Sequence, residues 1–153
     1  MTDEEIFREV NSYPAHMIVL TGGEPSLWID SEFIFKLKSV TCKNVAIETN
    51  GTNPLPQGID WITVSPKTGM SDMGDSEVVC EYADELKVVD IGQDLDQYFS
   101  LNCVTSKTRM LLQPCHIDDP VQCEKNTRQT IRRVLEDPRW RLSLQTHRYI
   151  GVR

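Results

Sequence analysis

The sequence predicts an α/β fold built on a mostly parallel sheet, open or closed into part of a barrel. Two observations carry this. Short apolar runs, each stopped by glycine, proline or asparagine, alternate with helical stretches or long crossovers along the chain. Polar and glycine signatures then follow strand after strand: Thr21-Gly22-Gly23-Glu24-Pro25, Glu48-Thr49-Asn50-Gly51, Ser65-Pro66-Lys67, Gln113-Pro114 and Gln145-Thr146-His147. In a parallel sheet all such ends share one rim, where strand ends hold side chains rigidly around a common cavity.

The elements follow in order. Thr2 with Glu5 three residues later forms a capping box, and Ile6, Phe7 and Val10 give one apolar face, so a helix is expected from about Thr2 to Asn11. His16 to Leu20 is a strand feeding the Thr21-Gly22-Gly23 turn. A second helix is expected from about Ser31 to Ser39, with Phe33, Leu37 and Val40 at helical spacing. Strands follow at Asn44 to Thr49, stopped by Asn50-Gly51, and at Trp61 to Val64, stopped by Ser65-Pro66-Lys67. The polar stretch 68–82, with Gly69 and Gly74, reads as a loop. Glu85 to Val89 and Met110 to Gln113 are two more strands. Asp119-Pro120 supplies an N-cap and a first-turn proline for a long helix, with Ile131, Val134 and Leu135 facing inward and Asp137-Pro138 ending it. Arg141 to Gln145 alternates as a final strand.

Composition narrows the function. The chain has 153 residues, 39% of them hydrophobic, in the range of one globular domain (residues 1–153) with a single core. Its net charge is −7 and its basic residues are scattered, apart from short clusters such as Arg132-Arg133, which argues against a nucleic-acid or anionic-membrane surface. No apolar run approaches the ~18 residues of a transmembrane helix, and the acidic start Met-Thr-Asp-Glu-Glu is the opposite of a signal peptide's basic region, so a cytoplasmic protein is expected. The five cysteines, at 42, 80, 103, 115 and 123, have no C-x-x-C pair and no regular spacing, which fits reduced thiols. Cys115-His116 with Cys123 lacks the usual zinc spacing, so no metal is assigned there.

Taken singly, each strand-end motif is an ordinary turn or strand stop. As an ordered set, TGGEP, ETNGT, SPK and the terminal LSLQTHRYIGVR resemble the radical S-adenosylmethionine (SAM) family of 7-carboxy-7-deazaguanine synthases, over nearly the whole chain. GGEP alone is shared across that superfamily, glycyl-radical activating enzymes included; SPK and QTHRYIG are more specific. The resemblance implies a partial (β/α) barrel lacking its first strand and cluster-binding loop. It implies ring contraction of 6-carboxy-tetrahydropterin to 7-carboxy-7-deazaguanine, with loss of ammonia, on the route to deazapurines such as queuosine. SAM, a 4Fe-4S cluster and Mg²⁺ serve the family; an electron donor such as flavodoxin or ferredoxin and a homodimer are implied as partners.

The family's roles carry over position by position. Gly22 and Gly23 let the backbone approach the methionine part of SAM, and Glu24 is suited to accept from its ammonium. Ser65, Pro66 and Lys67 match a SAM-binding tripeptide, and Gln113, Pro114, Cys115 and His116 a further SAM-contacting segment. Thr21 and Glu48 match substrate contacts, the carboxylate facing the donor-rich edge of a pterin; His147 and the terminal Arg153 resemble the groups that close over the substrate. The family's C-x-x-x-C-x-x-C loop has no counterpart in these 153 residues, so no catalytic or metal ligand is assigned and the chain alone is expected to be inactive. A truncated synthase and a non-enzymatic remnant that binds SAM or a partner both stay open. Without a preceding strand, His16 to Leu20 would lie at a sheet edge, and poor solubility or oligomerisation is expected.

Overall fold

The computed structural model describes residues 1–67 and 77–152. Most of the loop expected at 68–82, and Arg153, lie outside the described residues. The chain opens on α1 (Asp3–Asn11), where the Thr2 hydroxyl accepts from the Glu5 N–H and the Glu5 carboxylate accepts from the Thr2 N–H, the reciprocal pairing of a capping box. β1 (Met17–Leu20) leads through a 3-10 turn, Pro25–Leu27, to α2 (Ser31–Thr41), capped by Asp30. Then come β2 (Asn44–Thr49), β3 (Trp61–Val64), β4 (Glu85–Asp90), a 3-10 turn at Asp96–Ser100, β5 (Arg109–Pro114), α3 (Pro120–Glu136), β6 (Trp140–Leu142) and α4 (Thr146–Ile150).

Among the described residues the strands form one six-stranded sheet in the order β1-β2-β3-β4-β5-β6, every pairing parallel. Alternation gives the sheet two unlike faces. On β4, Leu86, Val88 and Asp90 are buried, while Glu85, Lys87 and Val89 face a cleft. The apolar side holds two clusters. Phe7, Ile18, Ile34, Leu37 and Val45 join α1 and α2 to the first strands. Leu86, Val88, Met110, Leu112, Tyr98, Cys103 and Trp140 form the larger cluster at the other end. Each fully buried leucine or isoleucine contributes about 1.5–3 kcal/mol.

Three expectations are corrected. Val40, Ile131 and Leu135 are exposed; Ile34 and Leu37 carry the inward face of α2, and Thr130 with Val134 that of α3. α3 docks partly through polar groups, Asn126 Nδ2 donating to the Cys115 carbonyl and Thr130 Oγ1 to Asp90, so its apolar periodicity misstates its phase. The last strand ends at Leu142; the Ser143 N–H still reaches the Leu112 carbonyl at 2.9 Å, after which the chain turns into α4. Cys80 and Cys103 are buried, Cys42 is exposed, and all five thiols are free.

Candidate functional site

Because all six strands run the same way, their C-terminal ends open onto one side. Thr21, Gly23, Glu24, Glu48, Ser65, Lys67, Gln113 and His147 line a single cleft of about 950 Å³, together with Asn50, Lys87 and the segment 143–146. Pro114, Cys115 and His116 line an adjoining hollow of about 530 Å³ that shares Leu144 and Gln145 with the cleft. Pro66 is buried behind the strand end and, like Gly22, is not among the lining residues. His147 lies on α4 and is exposed.

Two of the motif loops are welded together by one carboxylate. Glu24 Oε1 accepts from the Ser26 N–H (3.1 Å), the Ser26 hydroxyl (2.6 Å) and the Thr49 hydroxyl (2.6 Å), while Oε2 accepts from the Asn50 N–H (2.7 Å). Asn53 Nδ2 reaches the Ser26 hydroxyl at 3.2 Å, and Asn50 Oδ1 receives the Thr52 N–H and hydroxyl. Burial pushes the Glu24 carboxyl pKa up, but the donors on Ser26, Thr49 and Asn50 outweigh it and hold it below the ordinary 4.5. Glu24 therefore has a structural duty that the sequence did not disclose.

That duty has a pH signature. A depressed folded-state pKa contributes stability above the unfolded pKa, and the contribution is lost as pH falls through the folded value. Glu24→Gln is expected to cost about 2 kcal/mol at pH 7, the scale of a hydrogen bond to a charged group. The gap to wild type in urea unfolding should close progressively below about pH 4.5. An unchanged gap at pH 3 would exclude the ionised carboxylate as the lock.

Around this lock the backbone is shaped by glycine. Gly22 and Gly23 have φ of +90° and +53°, and a Cβ built on either meets nothing within 4 Å, so the turn leaves its backbone open to a ligand. Gly51, at φ +79°, is the opposite case: an added Cβ would lie 2.8 Å from Val64 Cγ1. Here the absent side chain lets ETNGT close down on β3, where the Ser65 N–H meets the Thr49 carbonyl at 2.7 Å.

The cleft floor is charged. Lys87 Nζ pairs with Glu48 Oε1 at 2.8 Å, Lys67 Nζ donates to the Ser65 hydroxyl at 3.3 Å, and the Thr63 hydroxyl donates to Glu85 Oε2 at 3.2 Å. Away from the cleft, at the N-terminal ends of β3 and β5, Arg109 stacks its guanidinium 4.9 Å from the centre of the Trp61 ring. Sequence reasoning missed Lys87 and the Asn50 network. The signal for Lys87 was an ionisable residue between Leu86 and Val88, in the middle of a strand, on the same alternation phase as Glu85 and Val89. Among the described residues no group of three His, Cys, Asp or Glu side chains could hold a metal ion, and no helix is long and apolar enough to cross a membrane.

Comparison with known proteins gives this cleft a context. No family model matches the chain. A 7-carboxy-7-deazaguanine synthase of Bacteroides thetaiotaomicron is 47% identical over 153 residues, all of this chain and 74% of the relative. One from Nitratidesulfovibrio vulgaris is 42% identical over 138 residues, 88% of this chain and 58% of that protein. The crystal structure of QueE from Escherichia coli superposes with a TM-score of 0.73 at 29% identity, over 95% of this chain and 64% of that one. The chain thus spans between just under three fifths and about three quarters of these relatives' lengths. A relative nearly half identical over every residue, in a sheet whose strand ends all open on one cleft, leaves one assignment: the chain belongs to the 7-carboxy-7-deazaguanine synthase family.

Proposed function

We propose that the cleft is the SAM- and pterin-binding part of a radical SAM 7-carboxy-7-deazaguanine synthase. The overall reaction is the ring contraction of 6-carboxy-5,6,7,8-tetrahydropterin to 7-carboxy-7-deazaguanine, a lyase step in queuosine and deazapurine biosynthesis. The observation that carries the reading is the convergence of TGGEP, ETNGT, SPK and the Gln145–His147 segment on one rim.

The residues suit SAM. Gly22 and Gly23 offer exposed backbone amides and carbonyls with no side chain in the way, and Ser65 and Lys67 supply a hydroxyl and an ammonium for ribose or carboxylate. Gln113 continues that surface toward Pro114, Cys115 and His116 in the neighbouring hollow. Glu24 already serves four donors, so its part in SAM binding is chiefly to hold the glycine turn in place. When bound and reductively cleaved, SAM supplies a 5′-deoxyadenosyl radical. Thr21, Glu48 and His147 contact the pterin, with Arg153 as a further group beyond the described residues.

A 4Fe-4S cluster does not suit the residues present. The sequence holds no C-x-x-x-C-x-x-C, and its five thiols are spread from Cys42 to Cys123. For the Mg²⁺ of the family, no group of three His, Cys, Asp or Glu side chains among the described residues could serve as ligands. This chain is accordingly a binding scaffold: it orients two ligands and does not by itself turn over. A cytoplasmic location, a flavodoxin or ferredoxin as electron donor, a homodimer and one domain over 1–153 complete the reading.

Calorimetric titration of the chain with SAM and with oxidised 6-carboxypterin tests it, both ligands being expected to bind. Gly23→Ala places a Cβ where the methionine part would lie. It is expected to weaken SAM at least about tenfold, while left-handed backbone strain costs only about 1–2 kcal/mol of stability. SAM binding that is absent from the wild-type chain, or indifferent to Gly23→Ala, would remove the SAM assignment.

A further inference from the structure

On β4 the residues facing the cleft are Glu85, Lys87 and Val89, and Lys87 is the cation in the middle of the sheet. Its side chain is only 18% exposed, and among the described residues its hydrogen-bond partner is Glu48 Oε1 at 2.8 Å. Glu48 stands on β2, so the pair reaches over the whole of β3, a span of about two strand spacings or ~9.5 Å between backbones. Only a long side chain closes that distance. Thr63 lies between them on β3, is small, and turns its hydroxyl to Glu85 instead.

The pairing leaves Glu48 half-committed. An ionised carboxylate has about four acceptor positions, and among the described residues Lys87 occupies one, with Oε2 unpartnered. A free glutamate at 44% exposure would sample several rotamers; one tethered at a single oxygen presents the rest of its carboxylate in a fixed plane. The amino-pyrimidinone edge of a pterin carries adjacent N–H donors that need such an acceptor.

We propose that Lys87 is a positioning residue for pterin recognition: by holding Glu48 Oε1 from across β3, it aims the remaining carboxylate lone pairs at the N–H edge of the ring. This rests on the pterin reading above. It separates two tasks in the cleft floor, with Glu48 touching the ligand and Lys87 acting through Glu48.

The test is a double-mutant cycle on the intact chain, titrated with 6-carboxypterin and with pterin lacking the carboxylate. Lys87→Met is expected to weaken 6-carboxypterin about tenfold, and the same change made in Glu48→Gln to weaken it less than about twofold. Pterin should show the same factors, and Lys87→Arg should recover most of the affinity. Lys87→Gln replaces Lys87→Met if the latter unfolds. A Lys87→Met loss that vanishes for pterin would mean that Lys87 binds the ligand's own carboxylate, overturning the positioning role. If Glu48→Gln weakens binding and Lys87→Met does not, the inference falls and the pterin reading stands. If the wild-type chain binds neither ligand, both fall together.

Discussion

Arg133→Met is expected to remove about 3–5 kcal/mol from the unfolding free energy, the scale of breaking a buried ion pair from one side. The Asp90 carboxylate sits at the C-terminal end of β4 with its side chain 1% exposed. It accepts from Arg133 Nη1, from the Thr130 hydroxyl at 2.8 Å and from the Gly92 N–H at 3.1 Å, while Arg133 Nη2 reaches the Gln93 carbonyl at 2.5 Å. Without the guanidinium, a buried negative charge keeps only two neutral donors. Asp90→Leu combined with Arg133→Met should recover a large part of the loss, because a buried pair replaced whole by apolar groups is often close to neutral. Urea unfolding of the two variants checks this; a loss below about 1 kcal/mol for Arg133→Met would mean that Thr130 and Gly92 suffice.

Trp140→Ala is expected to cost about 3–5 kcal/mol. The indole is 2% exposed and meets Tyr98 and Phe99 edge-on, at ring-centre distances of 6.2 and 5.6 Å. It begins β6 opposite Met110, so its loss also frees the strand that carries Ser143 to His147 into the cleft. One detail separates the alanine and phenylalanine variants: Trp140 Nε1 is buried with no hydrogen-bond partner among the described residues. Trp140→Phe removes that orphaned donor along with part of the ring, and should cost no more than about 1 kcal/mol. Equal losses for the two variants in thermal unfolding would mean that the retained phenyl ring recovers nothing and that shedding the Nε1 donor brings no relief.

The fold was legible wherever structure is dictated locally. Thr2 and Glu5 close their box within one turn, and β2 and β3 end where Asn50-Gly51 and Ser65-Pro66 stop them. α3 was legible in extent, from its Asp119 cap to Asp137, but not in orientation. Thr130 and Arg133 face inward to meet Asp90, and a hydrophobic count cannot see a helix docked by hydrogen bonds. The final strand was overextended because Leu142 and Leu144 alternate correctly, while the hydrogen bonds that stop at Ser143 depend on β5. In the site, glycines and strand-end motifs were visible as turns. The partners of Glu24, 25 and 26 residues away, and of Lys87, 39 away, are set by strand order and not by neighbours in sequence.

Strand order equal to sequence order also bears on how the protein is made. Each new strand finds its partner in the one synthesised just before it, so the sheet can lengthen during translation without waiting for a distant segment. Closing loop length enters stability only logarithmically, so even the longest gap, from Pro114 to Trp140, adds little to that growth. Among the six described strands the Trp140 strand would be the last to lock, so the cleft wall formed by residues 143–147 would follow the parts built on β1 to β5.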